Sequence, residues 1–483
     1  MEKLPTSDTI FAPATAVARA AIGILRLSGP DVGRAVSLIA GGLPPPRMAR
    51  RRRLVDPASG EPLDEGLVLW FPAPASATGE DVAEFHLHGS RAVLAAFVEV
   101  LTRLGLRLAE PGEFTRRAFL NGKLDLTQAE AIADLAMAET EAQRRQALRQ
   151  LEGELGGLYR DWSRRLTRLL AHLEAAIDFP DEDLPPEIED RIRADTAALA
   201  DEIGRHLTDG HRGERLRDGI AVAIIGPPNA GKSSLLNRIA RREAAITSPI
   251  PGTTRDIVEV AIDLAGYPVI LADTAGLRDS DDPVEQEGLR RARARAAEAE
   301  LRLFVFDARD PTQAAGAAAW PGPDTLLVAN KTDLLCTTIP HPNPSPLAGE
   351  GMRAGSCSTE PQAPSSVCGA GLGWGRPGST LRCAKAAFPV SALTGAGLDP
   401  LLTALAARVA GTYRIEAPVL TRTRHRQALE DAAASLARAG AAPLPELRAE
   451  DLRLALRRLG EIIGTVGVED LLDVIFRDFC IGK

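Results

Sequence analysis

The run Gly226-Pro227-Pro228-Asn229-Ala230-Gly231-Lys232-Ser233-Ser234 constrains the fold of this chain more than any other segment. It fits the spacing G-x-x-x-x-G-K-[ST]. The apolar stretch Ile220 to Ile225 before it reads as a buried strand, and Leu235-Leu236-Asn237 after it reads as the first turns of a helix. Strand, glycine loop and helix in that order are the context in which the spacing has a mechanism. Glycines let backbone N–H groups close around phosphate oxygens, and the helix N-terminus adds a favourable dipole. Lys232 is then placed to reach the β- and γ-phosphates, and Ser233 to hold Mg²⁺. The loop alone leaves the base open, since an ATP site would look the same.

Later segments point to guanine. Pro251-Gly252-Thr253-Thr254-Arg255-Asp256 offers a Thr hydroxyl that can complete the Mg²⁺ shell and sense the γ-phosphate, as switch loops do. In Val269-Ile270-Leu271-Ala272-Asp273-Thr274-Ala275-Gly276 an apolar strand ends in an Asp that can bind Mg²⁺ through water, then a Gly whose N–H can meet the γ-phosphate. A further strand, Leu326 to Ala329, ends in Asn330-Lys331-Thr332-Asp333. The Asp333 carboxylate can accept from guanine N1–H and the 2-amino group. Adenine offers neither, and a buried carboxylate left unpaired is costly. Ser391-Ala392-Leu393 would place a backbone N–H on guanine O6. The five pieces stand in the order a GTPase needs, each at the end of an apolar run.

Many GTPases carry a Gln just after the D-x-x-G segment to orient the attacking water. Leu277 stands there, so the water must be positioned otherwise. Glu285, at the start of the next helical pattern, is a candidate base acting through an intervening water. An acidic residue in a first helical turn also suits the macrodipole, and the residues alone favour that reading. Arg255 and Arg278 are candidates for an arginine finger in cis, though both suit a switch-loop surface better.

At 483 residues the chain has room for roughly three domains. Its net charge of −8 provides no global attraction for nucleic acid, so any RNA contact must use local patches. Arg50-Arg51-Arg52-Arg53 is one such patch, read as a solvated basic loop in preference to an RNA contact. No apolar stretch reaches transmembrane length, and Met1 to Ile10 has neither the apolar core nor the Arg-rich pattern of a targeting peptide, so a cytoplasmic protein without membrane contact is expected. Five cysteines (Cys336, Cys357, Cys368, Cys383 and Cys480) form no C-x-x-C pair; a disulfide framework is not expected in a chain of this size, and the spacings of the first four fit no known zinc-ligand pattern.

Residues 1 to about 120 read as a compact α+β domain, with strands at Ala21–Leu27 and Gly66–Phe71 and a helix at Ala92–Leu104. Phe85-His86-Leu87-His88 alternates, so both His share one strand face, and with no third ligand in view a structural role is favoured over metal binding. Helical patterning runs from Leu126 to Phe179 and from Ile188 to His206. The nucleotide domain then runs from near Gly219 to near Ala410, ending with a helix at Leu398–Val409, and helical patterning returns at Arg424–Ala439 and Ala449–Ile463. Helices therefore flank the nucleotide domain, which reads as inserted into one helical domain. Thr337 to Lys385, rich in Pro, Gly and Ser, interrupts it and reads as disordered.

Beyond the GTPase motifs, the chain carries Gly23-Ile24-Leu25-Arg26-Leu27-Ser28-Gly29, Thr78-Gly79-Glu80-Asp81-Val82-Ala83-Glu84, Pro111-Gly112-Glu113-Phe114-Thr115-Arg116-Arg117-Ala118-Phe119, Asn121-Gly122-Lys123-Leu124-Asp125-Leu126, Ala176-Ile177-Asp178-Phe179-Pro180 and the terminal Phe479-Cys480-Ile481-Gly482-Lys483. With these it resembles the MnmE (TrmE) family of bacterial tRNA-modification GTPases over the whole chain except Thr337 to Lys385. The resemblance implies a multidomain α+β and α/β protein. Its parts would be an N-terminal folate-binding and dimerisation domain (1–123), a discontinuous helical domain (124–217 and 411–483), and an inserted Ras-like P-loop GTPase domain (218–410, with 337–385 as an insert).

By motif match, Arg26, Glu84, Lys123 and Lys483 would contact a formyl- or methylene-tetrahydrofolate. Asn229 would help bind K⁺, which supplies positive charge in place of an arginine finger, with Ser248, Ile250 and Thr253 around it. Pro249 and Pro251 lie in the same loop, and Ser234 and Ala230 in the phosphate loop. Glu285 matches the family's water-orienting glutamate, with Thr254 and Gly252 beside it at the catalytic step. Implied partners are a second copy of the chain, an FAD-containing flavoprotein (MnmG, or GidA) and tRNA. The implied function is GTP hydrolysis coupled to adding a carboxymethylaminomethyl group at C5 of the wobble uridine. A ribosome-assembly GTPase would not need the folate-type N-terminal motifs. A non-hydrolysing scaffold is disfavoured because every catalytic motif residue is present.

Overall fold

The computed structural model describes residues 8–178, 186–209, 211–243, 259–273, 299–319, 324–335, 387–414, 417–467, 472, 475–476, 479 and 482. The chain divides into two compact units. One comprises Met1–Gly219, Ala265–Pro268 and Val409–Lys483, and the other Ile220–Leu264 and Val269–Arg408.

The first unit opens with a six-stranded sheet of β1 (Ile10–Pro13), β2 (Ala20–Ser28), β3 (Arg50–Val55), β4 (Pro62–Phe71), β5 (Val82–Gly89) and β6 (Arg107–Leu108), in the order β3-β4-β5-β2-β1-β6. Every recorded pairing is antiparallel except that of β1 with β6. Helices α1 (Val32–Ala40) and α2 (Arg91–Arg103) cover one face, where Val36, Ile39, Phe97 and Leu101 pack on Leu25, Leu27, Phe85 and Leu87. Period-two alternation puts those strand residues on the covered face and leaves Arg26, Glu84 and His86 on the other.

The four arginines Arg50–Arg53 form most of β3 and not a loop, which corrects the expectation. The strand lies at the sheet edge, with Leu54 buried against the core. Charge on an edge strand keeps its unpaired backbone groups from recruiting another strand, and Arg51 is already paired with Glu65 at 2.9 Å.

The continuous helical pattern expected from Leu126 onward resolves into α4 (Leu126–Met137), α5 (Glu141–Leu151) and α6 (Glu154–Asp178), after the short α3 (Glu113–Leu120). The first two breaks are written in local chemistry. Asp125 with Gln128, and Thr140 with Gln143, form capping boxes that restart the helix. Next come α7 (Pro186–Leu207) and α8 (Arg212–Asp218). Leu166, Leu169 and Leu173 from α6 pack with Leu199 and Ile203 from α7 and with Leu436 and Leu459 from the later helices Thr423–Ala441 and Pro445–Ile463. Trp162, 1 % exposed in this core, donates its indole N–H to Glu202 at 2.9 Å.

The second unit is a doubly wound sheet with strands β7 (Ile220–Ile225), β8 (Glu259–Leu264), β9 (Tyr267–Asp273), β10 (Leu301–Asp307), β11 (Thr325–Asn330) and β12 (Phe388–Pro389). Their order is β12-β11-β10-β7-β9-β8, and the pairs β7–β9, β7–β10, β10–β11 and β11–β12 are parallel. Helix α9 (Lys232–Arg242) follows β7, and α10 (Leu398–Tyr413) follows β12. The chain then returns to the first unit as α11 (Thr423–Ala441) and α12 (Pro445–Ile463). After β9 the chain crosses β7 to build the other side of the sheet. This creates a switch point whose crevice lies at the carboxyl ends of the strands.

Candidate functional site

The parallel register sets the site. The phosphate loop leaves the end of β7, Asp273 closes β9, Asn330 closes β11, and Ser391 lies just beyond β12. All four are carboxyl ends of parallel strands, so four separated motifs converge on one edge of the sheet. Gly226 adopts φ +141°, and a Cβ there would lie 2.0 Å from the Val305 carbonyl oxygen of β10, so only glycine lets the loop leave its strand. Asn229 has φ 59°, and Gly231 caps α9 in the left-handed region.

Lys232 is 7 % exposed, and its ammonium donates to the carbonyl oxygens of Gly226 and Pro227 at 2.9 Å each. Burial pushes its pKa down, opposed by the nearby Asp273 carboxylate. A cation deprived of water at the centre of a loop of N–H groups is prepared for a phosphate. Ser233 stands exposed on the first turn of α9, while Asp273 is 7 % exposed at its strand end. A hydroxyl and a carboxylate are the hard oxygen donors that Mg²⁺ takes.

Asn330, 1 % exposed, joins the two halves of the nucleotide site. Its amide nitrogen donates to Ala230 O at 2.9 Å, and its Oδ1 accepts from the Ala392 N–H at 3.0 Å. Of the Ser391–Leu393 amides, one of which is expected on guanine O6, the Ala392 N–H is thus already held by Asn330. The Ser391 hydroxyl donates to Asp333 Oδ1 at 2.5 Å, which aims that exposed carboxylate. Lys331, at φ 65°, donates to Asp307 Oδ2 at 3.0 Å. Hydrogen bonds from Arg309, with Lys331 adding to them, hold the Asp307 carboxyl well below the usual carboxylate range. The sequence reading missed Asp307, although it ends the apolar run Leu303–Phe306 as Asp273 ends its own.

The N-terminal motifs also meet, across the sheet and α3. Arg26 donates from Nε and Nη2 to Glu84 Oε1 at 3.1 and 2.9 Å and lies 5.9 Å from the Phe114 ring centroid, while Glu84 Oε2 is 3.2 Å from His86 Nε2. Ser28 Oγ is 2.7 Å from both Thr78 Oγ1 and Glu80 Oε2. The guanidinium of Arg117, 2 % exposed, binds Glu80, Glu113 and Asp8 at 2.9–3.1 Å. Asn121 donates to Thr78 O at 2.8 Å, and Gly79 packs against Asn121 and Lys123. Arg26 and Glu84 form one half-exposed ion pair, and Lys123 stands exposed beside the Thr78–Glu80 turn. Cations of this kind suit carboxylates, and a carboxylate suits ring N–H donors, so this donor set fits a folate. His88 is 2.7 Å from Asp64, and the described residues contain no group of three or more metal-type ligands.

Several expected residues lie outside the described ones: Ser248 through Thr254, Arg255, Thr274 through Gly276, Leu277, Arg278, Glu285, all five cysteines, Lys483 and the segment Thr337 to Lys385.

A family model described as the MnmE helical domain matches residues 126–480, and one described as GTP-binding protein TrmE N-terminus matches residues 9–123. The tRNA modification GTPase MnmE of Rhodospirillum rubrum is 55 % identical over 498 residues, covering 99 % of this chain and 100 % of that protein. The chain belongs to the MnmE family. Two further MnmE proteins, also named tRNA modification GTPase, come from Paramagnetospirillum magneticum and Parvibaculum lavamentivorans. They are 54 % and 53 % identical over 480 and 483 residues, each covering 99 % of this chain and 100 % of the relative. The span 126–480 of the MnmE helical model takes in all of β7 to β12, so the nucleotide-binding sheet lies within the helical region of the sequence.

Proposed function

We propose that this chain is a GTP hydrolase of tRNA modification. Working with an FAD-containing flavoprotein, it would install a carboxymethylaminomethyl group at C5 of the wobble uridine. The observation that carries the reading is the Asn330 clamp. One buried amide joins the phosphate loop at Ala230 to the Ser391–Leu393 loop at Ala392, with Asp333 held beside it by Ser391. That arrangement binds a guanine base and a phosphate chain as one ligand. Near-full-length identity to proteins named tRNA modification GTPase supplies the second half of the reading.

In this reading Lys232 meets the β- and γ-phosphates, and Ser233 and Asp273 hold Mg²⁺. Asn229 belongs to a K⁺ site. When bound, the two cations supply positive charge at the phosphates. Glu285 orients the attacking water in place of the missing Gln. Arg26, Glu84 and Lys123 hold a one-carbon folate in a domain that pairs with a second copy of the chain. No described helix is long and apolar enough to cross a membrane.

Two measurements test this. GTP turnover by the purified chain should be faster in K⁺ than in Na⁺, and equal slow rates would remove the K⁺ site. Nucleoside mass spectrometry of bulk tRNA should show the C5 modification lost in a strain lacking the gene and restored by wild type but not by Asp273→Asn. Persistence of the modification without the gene would overturn the tRNA role and leave a general GTP switch.

A further inference from the structure

Arg238 lies on α9, six residues beyond Lys232, and is half-buried. Its Nε donates to Ala392 O at 2.9 Å, and its Nη2 donates to Leu393 O. Both carbonyls belong to the loop read above as the guanine O6 contact. In a trans peptide the N–H points opposite the C=O. Holding the Ala392 carbonyl toward α9 therefore turns the Leu393 N–H away from α9, while the next amide, that of Thr394, donates to Ser391 Oγ at 3.1 Å. The Ala392 N–H is fixed separately by Asn330 Oδ1 at 3.0 Å. Leu393 is 73 % exposed and makes no apolar anchor for the loop, so polar ties must set its orientation.

We propose that Arg238 is a positioning residue for guanine recognition: by bridging two consecutive carbonyls from the phosphate-loop helix, it aims the Leu393 N–H at guanine O6. It does not touch the base. Its planar fork holds both carbonyls in one fixed orientation, whereas a lysine ammonium is a point charge on a flexible stem and would fix that orientation less well. Arg242, one turn further along α9, is the natural control. It carries the same charge on the same helix, yet it pairs with the Asp399 side chain and not with loop carbonyls. The proposal rests on reading Ser391–Leu393 and Asp333 as the guanine site, and that reading can be tested separately.

The experiment measures binding of GDP, 6-thio-GDP and IDP to the full-length protein, by competition with a fluorescent guanine nucleotide. The first analogue replaces O6 with a poorer acceptor, and the second lacks the 2-amino group that Asp333 would read. Arg238→Ala should weaken GDP about tenfold, as expected for losing two partly exposed bonds from a charged donor. It should also collapse most of the preference for GDP over 6-thio-GDP while leaving the preference for GDP over IDP intact. Arg238→Lys should recover only part of the loss, and Arg242→Ala should behave as wild type. An unchanged GDP affinity in Arg238→Ala, or an equal loss for all three nucleotides, overturns the proposal. Asp333→Asn tests the underlying reading. It should lose the preference for GDP over IDP, and a retained preference would remove the guanine assignment whatever Arg238 does.

Discussion

Replacing Glu130 with Gln should unbalance a buried charge cluster that joins α4 to α11. Glu130 is 1 % exposed. Its Oε1 accepts from Arg424 Nε at 2.6 Å, its Oε2 faces His425 Nε2 at 2.9 Å, and Arg422 Nε lies 3.4 Å from Oε1. Burial alone would raise the Glu130 pKa, but Arg424 and His425 outweigh it and hold the carboxyl well below the usual range. Burial, aided by Arg424, pushes the pKa of fully buried His425 down to about 4. His425 is therefore neutral near pH 7, donating from Nε2, and its Nδ1 has no partner among the described residues. In Glu130→Gln the Arg424 guanidinium loses its counter-charge, and the new amide offers a donor to an imidazole that is itself donating. Removing one partner of a buried pair costs about 3–5 kcal/mol. Arg422 keeps Asp134 at 2.6 Å, so the lower end, about 3 kcal/mol, is expected here. Urea denaturation followed by circular dichroism at 222 nm reads the helical transition at pH 7.5. The companion Arg424→Met variant removes the orphaned charge, so the double variant should be less destabilised than the sum of the singles by about 2 kcal/mol. Additive singles would refute the cluster as a coupled unit. In the same cluster, the folded chain binds fewer protons at His425 than the unfolded chain. Stability contributed by its neutrality is thus full above pH 6.5 and falls as pH drops toward 4, by up to about 3 kcal/mol. His425→Gln should flatten that slope between pH 6.5 and 5, and an unchanged slope would refute the assignment.

Three further outcomes are expected. Gly226→Ala forces a Cβ to 2.0 Å from Val305 O at φ +141° and should cost on the order of 3 kcal/mol, read as lost soluble yield and lost GDP binding; full GDP affinity would contradict it. Arg117→Met leaves Glu80 and Glu113, 14 % and 12 % exposed, without their shared cation, and should lower thermal stability at pH 8 by about 3 kcal/mol. Against the upward push of burial, Arg107 and Arg117 hold the Glu113 carboxyl below its ordinary value, so that deficit should shrink as Glu113 protonates at acid pH, and a pH-independent deficit would point to lost packing instead. Lys232→Ala should abolish measurable GTP turnover while changing the urea midpoint little, because the Gly226 and Pro227 carbonyls can turn to water; a large stability loss would show that the lysine is a structural strut.

Much of the nucleotide site was legible in the residues because each piece is local. A strand that ends in glycines and starts a helix with Lys232-Ser233 has few other conformations open to it, and the strand read at Ile220–Ile225 is β7 to the residue. The Asp273 and Asn330 strand ends follow from the same logic. Composition misled at Arg50–Arg53, because charge patterning measures exposure, and an edge strand is as exposed as a loop. Only the tertiary structure decided what lies across sequence. Asn330 meets Ala230 a hundred residues away, Arg238 reaches Leu393, and Glu130 meets His425 across 295 residues. Hydrogen bonds of such range depend on strand order and helix placement. The sequence by itself therefore determined which groups could bind a guanine nucleotide, while the doubly wound topology decided which of them share one crevice and which unremarked arginine holds the loop in place.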